Sequence, residues 1–333
     1  MGESTNEQDS GPIFPFVGAG QFILDQPDRP AAWWGHGSEV LAAEGEALII
    51  VGGQGLGKST LAQQLALGRA GFTEYSNLLG YPVTPGRRRV LYLAMDRPRQ
   101  IARSMRRMVG EAWRHELDDK VLIWAGPPPR DLAKHPHLLT EMSIAADADT
   151  AIVDSNKDAA IGLNDDEVGA SWNLARQHAL RAGVEVLELH HPRKVGNGAT
   201  RTAASIDDAY GSTWITSGAG SVIVLTGAPG DPVVKLWHVK QPFDEVGPFE
   251  VLHDRDTGRS SRYDVLDLAA VVRSLGRITA EGAACRLYST EKPTPSEREK
   301  ARRALHKLTR NGQLVQLSEG DRATSTPAEW GPQ

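Results

Sequence analysis

Residues 47–60 read ALIIVGGQGLGKST, and this stretch decides the fold of the chain. Ala47–Val51 is an uninterrupted apolar run of strand length, the pattern of a strand covered on both faces. Glycines at 52, 53, 55 and 57 then turn the chain, and residues 59–70 (STLAQQLALGRA) continue at helical period with Leu61, Leu65 and Leu67 near one face. GGQGLGKS fits G-x-x-x-x-G-K-[ST], in the strand–turn–helix setting that the motif requires. Glycines there let successive backbone N–H groups turn inward around a phosphate, and the helix N-terminus adds partial positive charge. Gly52, Gly53, Gln54, Gly55, Leu56, Gly57, Lys58, Ser59 and Thr60 are thus expected to cradle a nucleotide. Lys58 would reach the β- and γ-phosphates and the Ser59 hydroxyl would help hold magnesium, so ATP and Mg2+ are the expected cofactors.

Outward from this stretch, strands alternate with helices. VLYLAMD (90–96), VLIWAG (121–126), TAIVD (150–154) and VEVLELHH (184–191) read as strands, with helices over 99–114 and 168–182. Such alternation implies an α/β fold, a mostly parallel sheet with helices on both faces. GSVIVLTG (220–227) and VVKLWHVK (233–240), joined by a Gly/Pro turn, suggest an antiparallel edge. Residues 1–12 look like a solvated tail, and 13–40, with Trp33 and Trp34, like an arm packed on the main domain. Past the turn-rich 257–261, helices are expected over 265–275, 279–287 and 296–311, then a short strand and a polar hairpin. That order suggests a winged helix. The expected organisation is therefore 1–40 tail and arm, 41–258 α/β core, and 259–333 winged-helix-like module.

Composition sets limits. The chain has 333 residues, 40% hydrophobic and 24% charged, which excludes a disordered or collagen-like protein. A net charge of −5 excludes bulk electrostatic adhesion to nucleic acid and leaves room for a local basic surface. The one cysteine, Cys285, allows neither an internal disulfide nor a multi-thiolate zinc site, and an intracellular, cytoplasmic chain is expected. No apolar run approaches the ~20 residues of a membrane helix, and the polar N-terminus does not read as a secretory signal.

Two strand ends carry further chemistry. Asp154 closes TAIVD, where a carboxylate can order water around magnesium beside Ser59. No Glu sits beside it, so a catalytic base must come from elsewhere. Asp96 closes VLYLAMD; it either orients the attacking water or caps the helix starting near Pro98.

GGQGLGKST, VLYLAMDRPRQIARSMRR, TAIVD, VLELHHPRK and DAYGSTWITSGAGSVIVL, in that order over about two thirds of the chain, resemble the RecA-like ATPases, specifically the RepA-type hexameric helicases of plasmids and phages. The resemblance implies a RecA-like core and an ATP-dependent helicase or translocase on single-stranded DNA, assembled as a homo-hexamer. A primase–polymerase or replication initiator is the implied companion, and no membrane. It places the water-activating acid, usually Glu, on Asp96, and the polar sensor on His190 or His191. The finger that reaches a neighbour's ATP falls on Lys240, with Lys235 second. DNA would thread a central channel past two loops, about 155–167 with Asn156 and Lys157, and about 192–208 with Arg193, Lys194 and Arg201 among mobile glycines 196 and 198. Each loop also reads as ordinary solvated chain. A recombination or repair ATPase of the same fold and an ATP-gated DNA-binding regulator are the alternatives.

In the C-terminal module, residues 286–310 carry eight Lys/Arg against three Glu. Ser296 with Glu299 suggests a capping box. Ala301, Leu305 and Leu308 form a buried stripe, and Arg298, Arg302 and Arg303 face outward as on a DNA recognition helix, although many such modules bind protein or simply pack. The basic stretch 97–114 could pair with a neighbouring subunit, bind DNA or be a solvated face. Trp214 is a weak base-stacking candidate, and the other tryptophans read as core or interface. His115, His135, His137 and His253 read as structural or surface residues, and Cys285 as buried.

Overall fold

The computed structural model describes residues 16–193, 204–263, 268–288, 290–320 and 327–333. A short helix α1 (Ala19–Leu24) precedes the hairpin β1 (Ala32–His36) and β2 (Glu39–Ala43). Trp33 and Trp34 of this hairpin are fully buried, and the Trp34 indole donates to the Leu78 carbonyl at 3.2 Å. Then come β3 (Leu48–Gly52), α2 (Lys58–Arg69) and a two-residue ribbon, β4 (Asn77–Leu78) with β5 (Tyr81–Pro82). The core continues through β6 (Arg89–Ala94), α3 (Pro98–Met105), α4 (Arg114–Lys120), β7 (Val121–Ala125), α5 (Leu138–Ala145) and β8 (Ala148–Asp154). After these follow α6 (Asn156–Ala159), α7 (Asp166–Arg181), β9 (Glu185–His190), α8 (Thr213–Ser217), β10 (Ser221–Thr226), β11 (Val233–Lys240), β12 (Phe249–His253) and β13 (Ser260–Tyr263).

Nine strands form one sheet in the order β13-β12-β11-β10-β3-β9-β8-β6-β7. From β10 to β7 every pairing is parallel, while β11, β12 and β13 extend the sheet antiparallel. This is the RecA-like arrangement, with the phosphate-loop strand β3 central. The antiparallel extension is three strands wide: β12 and β13 lie beyond the β10–β11 pair legible in the sequence. Apolar side chains from alternate positions of the strands fill two cores, one on each face.

α2 differs from its expected amphipathic form. Ten of its twelve residues are buried, Gln63, Gln64 and Arg69 among them, because it lies between the sheet and α3. Arg69 donates to Thr150 and Thr84, Gln64 donates to Ser260, and the Gln63 side-chain oxygen accepts from Ser104. The expected helix over 99–114 is also broken. α3 ends at Met105, Met108 is buried, and Trp113 packs on Phe72 with ring centroids 5.0 Å apart. The chain turns at residues 106–108 and runs extended through Gly110, which brings Met108 into the core and Trp113 against its edge.

The C-terminal region contains α9 (Leu268–Leu275), β14 (Ile278–Thr279), α10 (Ala280–Leu287), α11 (Pro295–Arg310), β15 (Leu314–Ser318) and β16 (Glu329–Pro332). Its small sheet has the order β14-β16-β15, and its own core holds Val272, Ala284, Leu305 and Trp330. The capping box of α11 is Thr294 with Glu297, not Ser296 with Glu299. Pro295 explains the shift: its fixed φ suits the first helical position, so the cap falls on Thr294, two residues before Ser296. Cys285 is half-buried rather than fully buried. Among the described residues no helix is long and apolar enough to cross a membrane.

Candidate functional site

The C-terminal ends of β3, β6, β8 and β9 lie side by side, and the residues that leave them line one cleft of about 510 Å³. Lys58, Ser59, Asp96, Asp154 and His191 all face it. The loop at its base turns on Gly55 and Gly57, with φ of +76° and +83°, conformations that other residues adopt only under strain. Space is short there too: a Cβ on Gly57 would lie 2.1 Å from the His253 ring.

Lys58 donates to the carbonyls of Gly52 at 2.7 Å and Gly53 at 2.9 Å. An ammonium has three hydrogens, so one is left for an anion in the cleft. Burial lowers the Lys58 pKa to about 8, against the pull of the Asp154 carboxylate. Asp154 is itself buried, and that raises its pKa; hydrogen bonds from Tyr92 and Ser59 and the Lys58 charge act the other way. The Tyr92 hydroxyl donates to Asp154 Oδ2 at 2.8 Å, which orients the carboxylate toward Ser59. One hydroxyl and one carboxylate oxygen are what a magnesium ion shared with a nucleotide takes from a protein, so Ser59 and Asp154 fit that ion. The glycine cradle and the free Lys58 hydrogen likewise fit a polyphosphate. The peptide between Asp154 and Ser155 is cis.

Asp96 stands two residues beyond β6, about half exposed, and accepts from its neighbour Arg97 at 3.2 Å. It does not cap α3: the capping position is Arg97, with Pro98 following, and no side chain closes that end. Asp96 therefore stays turned to the cleft. His190 and His191 separate in the same way. His190 is buried against the Tyr210 carbonyl, whereas His191 lines the cleft. Burial, with Lys58 and Lys157 nearby, lowers the His191 pKa to about 4, so its ring is neutral at neutral pH. Of the basic stretch, Arg97, Arg103 and Arg107 line the cleft, while Arg106 and Arg114 pair with Glu111.

The expected nucleic-acid contacts are more scattered. Lys157 is exposed on α6. Asn156 is not available: it is fully buried and donates to Glu188 at 2.6 Å. A one-turn helix draws it inward, which the polar composition of the loop concealed. Arg193 is exposed just after β9, and its backbone N–H donates to the Asp208 carbonyl at 2.7 Å. Lys194, Arg201, Gly196 and Gly198 lie outside the described residues. Trp214 on α8 is half exposed. Lys240 lies away from this cleft, its ammonium donating to the carbonyls of Thr216 and Ser217 at 3.2 and 2.8 Å. Lys235 lies over the Trp237 ring. On α11, Arg298, Arg302 and Arg303 face solvent but are engaged, Arg298 with Glu281 and the other two with Glu299.

Three groups were not legible as parts of the site. Tyr92 lies inside the strand run VLYLAMD, and its hydroxyl, two residues before the end of β6, was the one hint of a partner. His253, over 190 residues from the loop, packs on Gly57. Glu188 sits at the centre of the sheet, accepting from Arg176, Asn156 and Trp172; a charged residue inside the run VEVLELHH was its one signal.

No curated protein matches the chain in sequence. Among solved structures, a KaiC-like protein of the hyperthermophilic archaeon Pyrococcus horikoshii is similar at 17% identity and a TM-score of 0.47, over 71% of this chain and 100% of that one. Residues 15–197 match the family described as AAA domain. That span holds the phosphate loop and every cleft residue named above, and the chain belongs to the AAA domain family, as a P-loop ATPase of RecA-like fold.

Proposed function

We propose that this ATPase is a DNA helicase or translocase whose subunits close into a ring, six-membered in the simplest case, and move on single-stranded DNA. One observation carries the reading. Asp154 and His191 face the nucleotide cleft, and each is followed within three residues by an exposed cation, Lys157 and Arg193. A shift at either strand end would displace a phosphate-binding charge, with no reading of bases.

ATP with magnesium supplies the phosphoanhydride bond whose cleavage drives the cycle. The free Lys58 hydrogen and the loop N–H groups would hold the phosphates, and Ser59 and Asp154 would supply oxygens to the ion. Asp96 orients water and accepts its proton. The neutral His191 ring can donate to a terminal phosphate oxygen and lose that contact on product release. Lys240, absent from its own chain's cleft, would serve the neighbour's. The C-terminal order, helix, strand, two helices and two strands, supports reading this region as winged-helix-like. Exposed ion pairs such as Arg302–Glu299 are weakened by solvent screening, so these arginines can exchange a carboxylate for a DNA phosphate.

The test is ATP turnover with and without single-stranded DNA, together with electron micrographs taken with a non-hydrolysable analogue. DNA-stimulated turnover and closed rings are expected. Filaments with strand exchange would indicate a recombination ATPase, and sequence-specific duplex binding without turnover a regulator. Single subunits with no DNA stimulation would overturn the proposal.

A further inference from the structure

A chain of hydrogen bonds ties the phosphate loop to the antiparallel side of the sheet. His253, the last residue of β12, places Nε2 3.1 Å from the Leu56 carbonyl and Nδ1 2.8 Å from Ser260 Oγ on β13. Ser260 Oγ also receives the Gln64 side-chain amide at 2.9 Å, the Ser260 N–H returns to Gln64 Oε1 at 3.0 Å, and the Gln64 amide reaches the Thr60 carbonyl. The proton positions follow from the partners. A carbonyl only accepts, so Nε2 carries the ring hydrogen. Nδ1 is then the acceptor, and the Ser260 hydroxyl donates to it while accepting from Gln64. Burial lowers the His253 pKa, in keeping with a ring that holds one proton.

In a trans peptide, the carbonyl of one residue and the N–H of the next point in opposite directions. The Leu56–Gly57 peptide is trans. With the Leu56 carbonyl held on His253, the Gly57 N–H is turned the other way, toward the cleft, and no described group accepts from it. The ring also fills the space beside the Gly57 Cα, which blocks the peptide from rotating back.

We infer that His253 is a positioning residue for nucleotide: by holding the Leu56 carbonyl it aims the Gly57 N–H at a phosphate oxygen. The inference rests on the cleft being the ATP site and is independent of the DNA reading. Ser260 and Gln64 set the tautomer and fasten the ring to the first turns of α2.

The test uses the full chain and measures Mg-ADP affinity by calorimetry, together with KM and kcat for ATP. His253→Ala is expected to raise the dissociation constant and KM about tenfold, the effect of misaligning one charge-assisted hydrogen bond, with kcat changed less than about twofold. His253→Gln, which can present an N–H to Leu56 and an oxygen to Ser260, is expected to restore most of the affinity. Ser260→Ala, which keeps the ring and frees its tautomer, is expected to cost about threefold. The inference is overturned if wild-type protein binds Mg-ADP and a folded His253→Ala binds it equally well. It is also overturned if the Gln variant is as weak as Ala, or if kcat falls in step with affinity. Should His253→Ala fail to fold, wild-type affinity in Ser260→Ala overturns it. If wild-type protein binds no nucleotide, the reading of the cleft falls first and the inference falls with it.

Discussion

Replacing Arg176 by Met should destabilise the protein strongly. Arg176 and Glu188 are fully buried, with Arg176 Nε 2.5 Å and Nη2 3.0 Å from the carboxylate. The same carboxylate accepts from Asn156 and Trp172, and Arg176 also donates to the Ile215 carbonyl. Removing one partner leaves a buried charge uncompensated, a loss of about 3–5 kcal/mol. A domain of this size loses about 2–4 °C of melting temperature per kcal/mol, so a fall of about 6–20 °C is expected. The same arithmetic applies to Glu188→Leu. The double variant removes both charges and leaves the Asn156 and Trp172 N–H groups without an acceptor and the Ile215 carbonyl without its Arg176 donor, at about 1–3 kcal/mol each. Its loss should therefore be clearly less than the sum of the single losses. Thermal melts followed by circular dichroism for all four proteins complete the cycle. A single variant melting within about 2 °C of wild type, or strict additivity in the double, would refute the argument that this pair is one buried unit.

Lys58→Ala should abolish nucleotide turnover with the melting temperature of the free protein unchanged or raised, since it removes an ammonium whose burial lowers its pKa to about 8; a phosphate-release assay beside a melt checks both. Asp96→Asn should keep Mg-ATP affinity and lose hydrolysis, and normal turnover would remove Asp96 from the reaction. The pH dependence has a definite sign at His238, which burial holds at about 4 against an ordinary 6.5. Between those values the unfolded chain binds a proton that the native ring does not, so stability is present above pH 6.5 and falls as pH drops toward 4. The share is at most about 3 kcal/mol. Melts across that window should show the slope, and His238→Gln, which keeps a donor for Ser221, should make it shallower while the share from His191, also held at about 4, remains.

The motif residues were readable from the chain because their spacing is local. A strand, four glycines, a lysine and a serine within a dozen positions specify their own geometry, and Asp154 and His191 mark the ends of apolar runs. Boundaries set by long-range packing were not readable. The turn after Met105 exists because Met108 and Trp113 must both reach the core beneath α2, and the cap of α11 moved to Thr294 because Pro295 prefers the first helical position. Asn156 reads as a solvated loop residue until Glu188 is found behind it. The two histidines at 190 and 191 are equivalent on paper, and the pleat of β9 alone sends one inward and the other to the cleft.

Sequence by itself thus determined the phosphate loop, the parallel sheet and the identity of the groups at its strand ends, because apolar period and glycine placement act over a few residues. Tertiary structure alone decided which distant side chains serve those groups: Tyr92 on Asp154, Glu188 on Asn156, and His253 on Leu56. A buried carbonyl or carboxylate requires a donor, and any strand that the sheet brings alongside can supply it. Separation along the chain therefore carries no sign of the pairing.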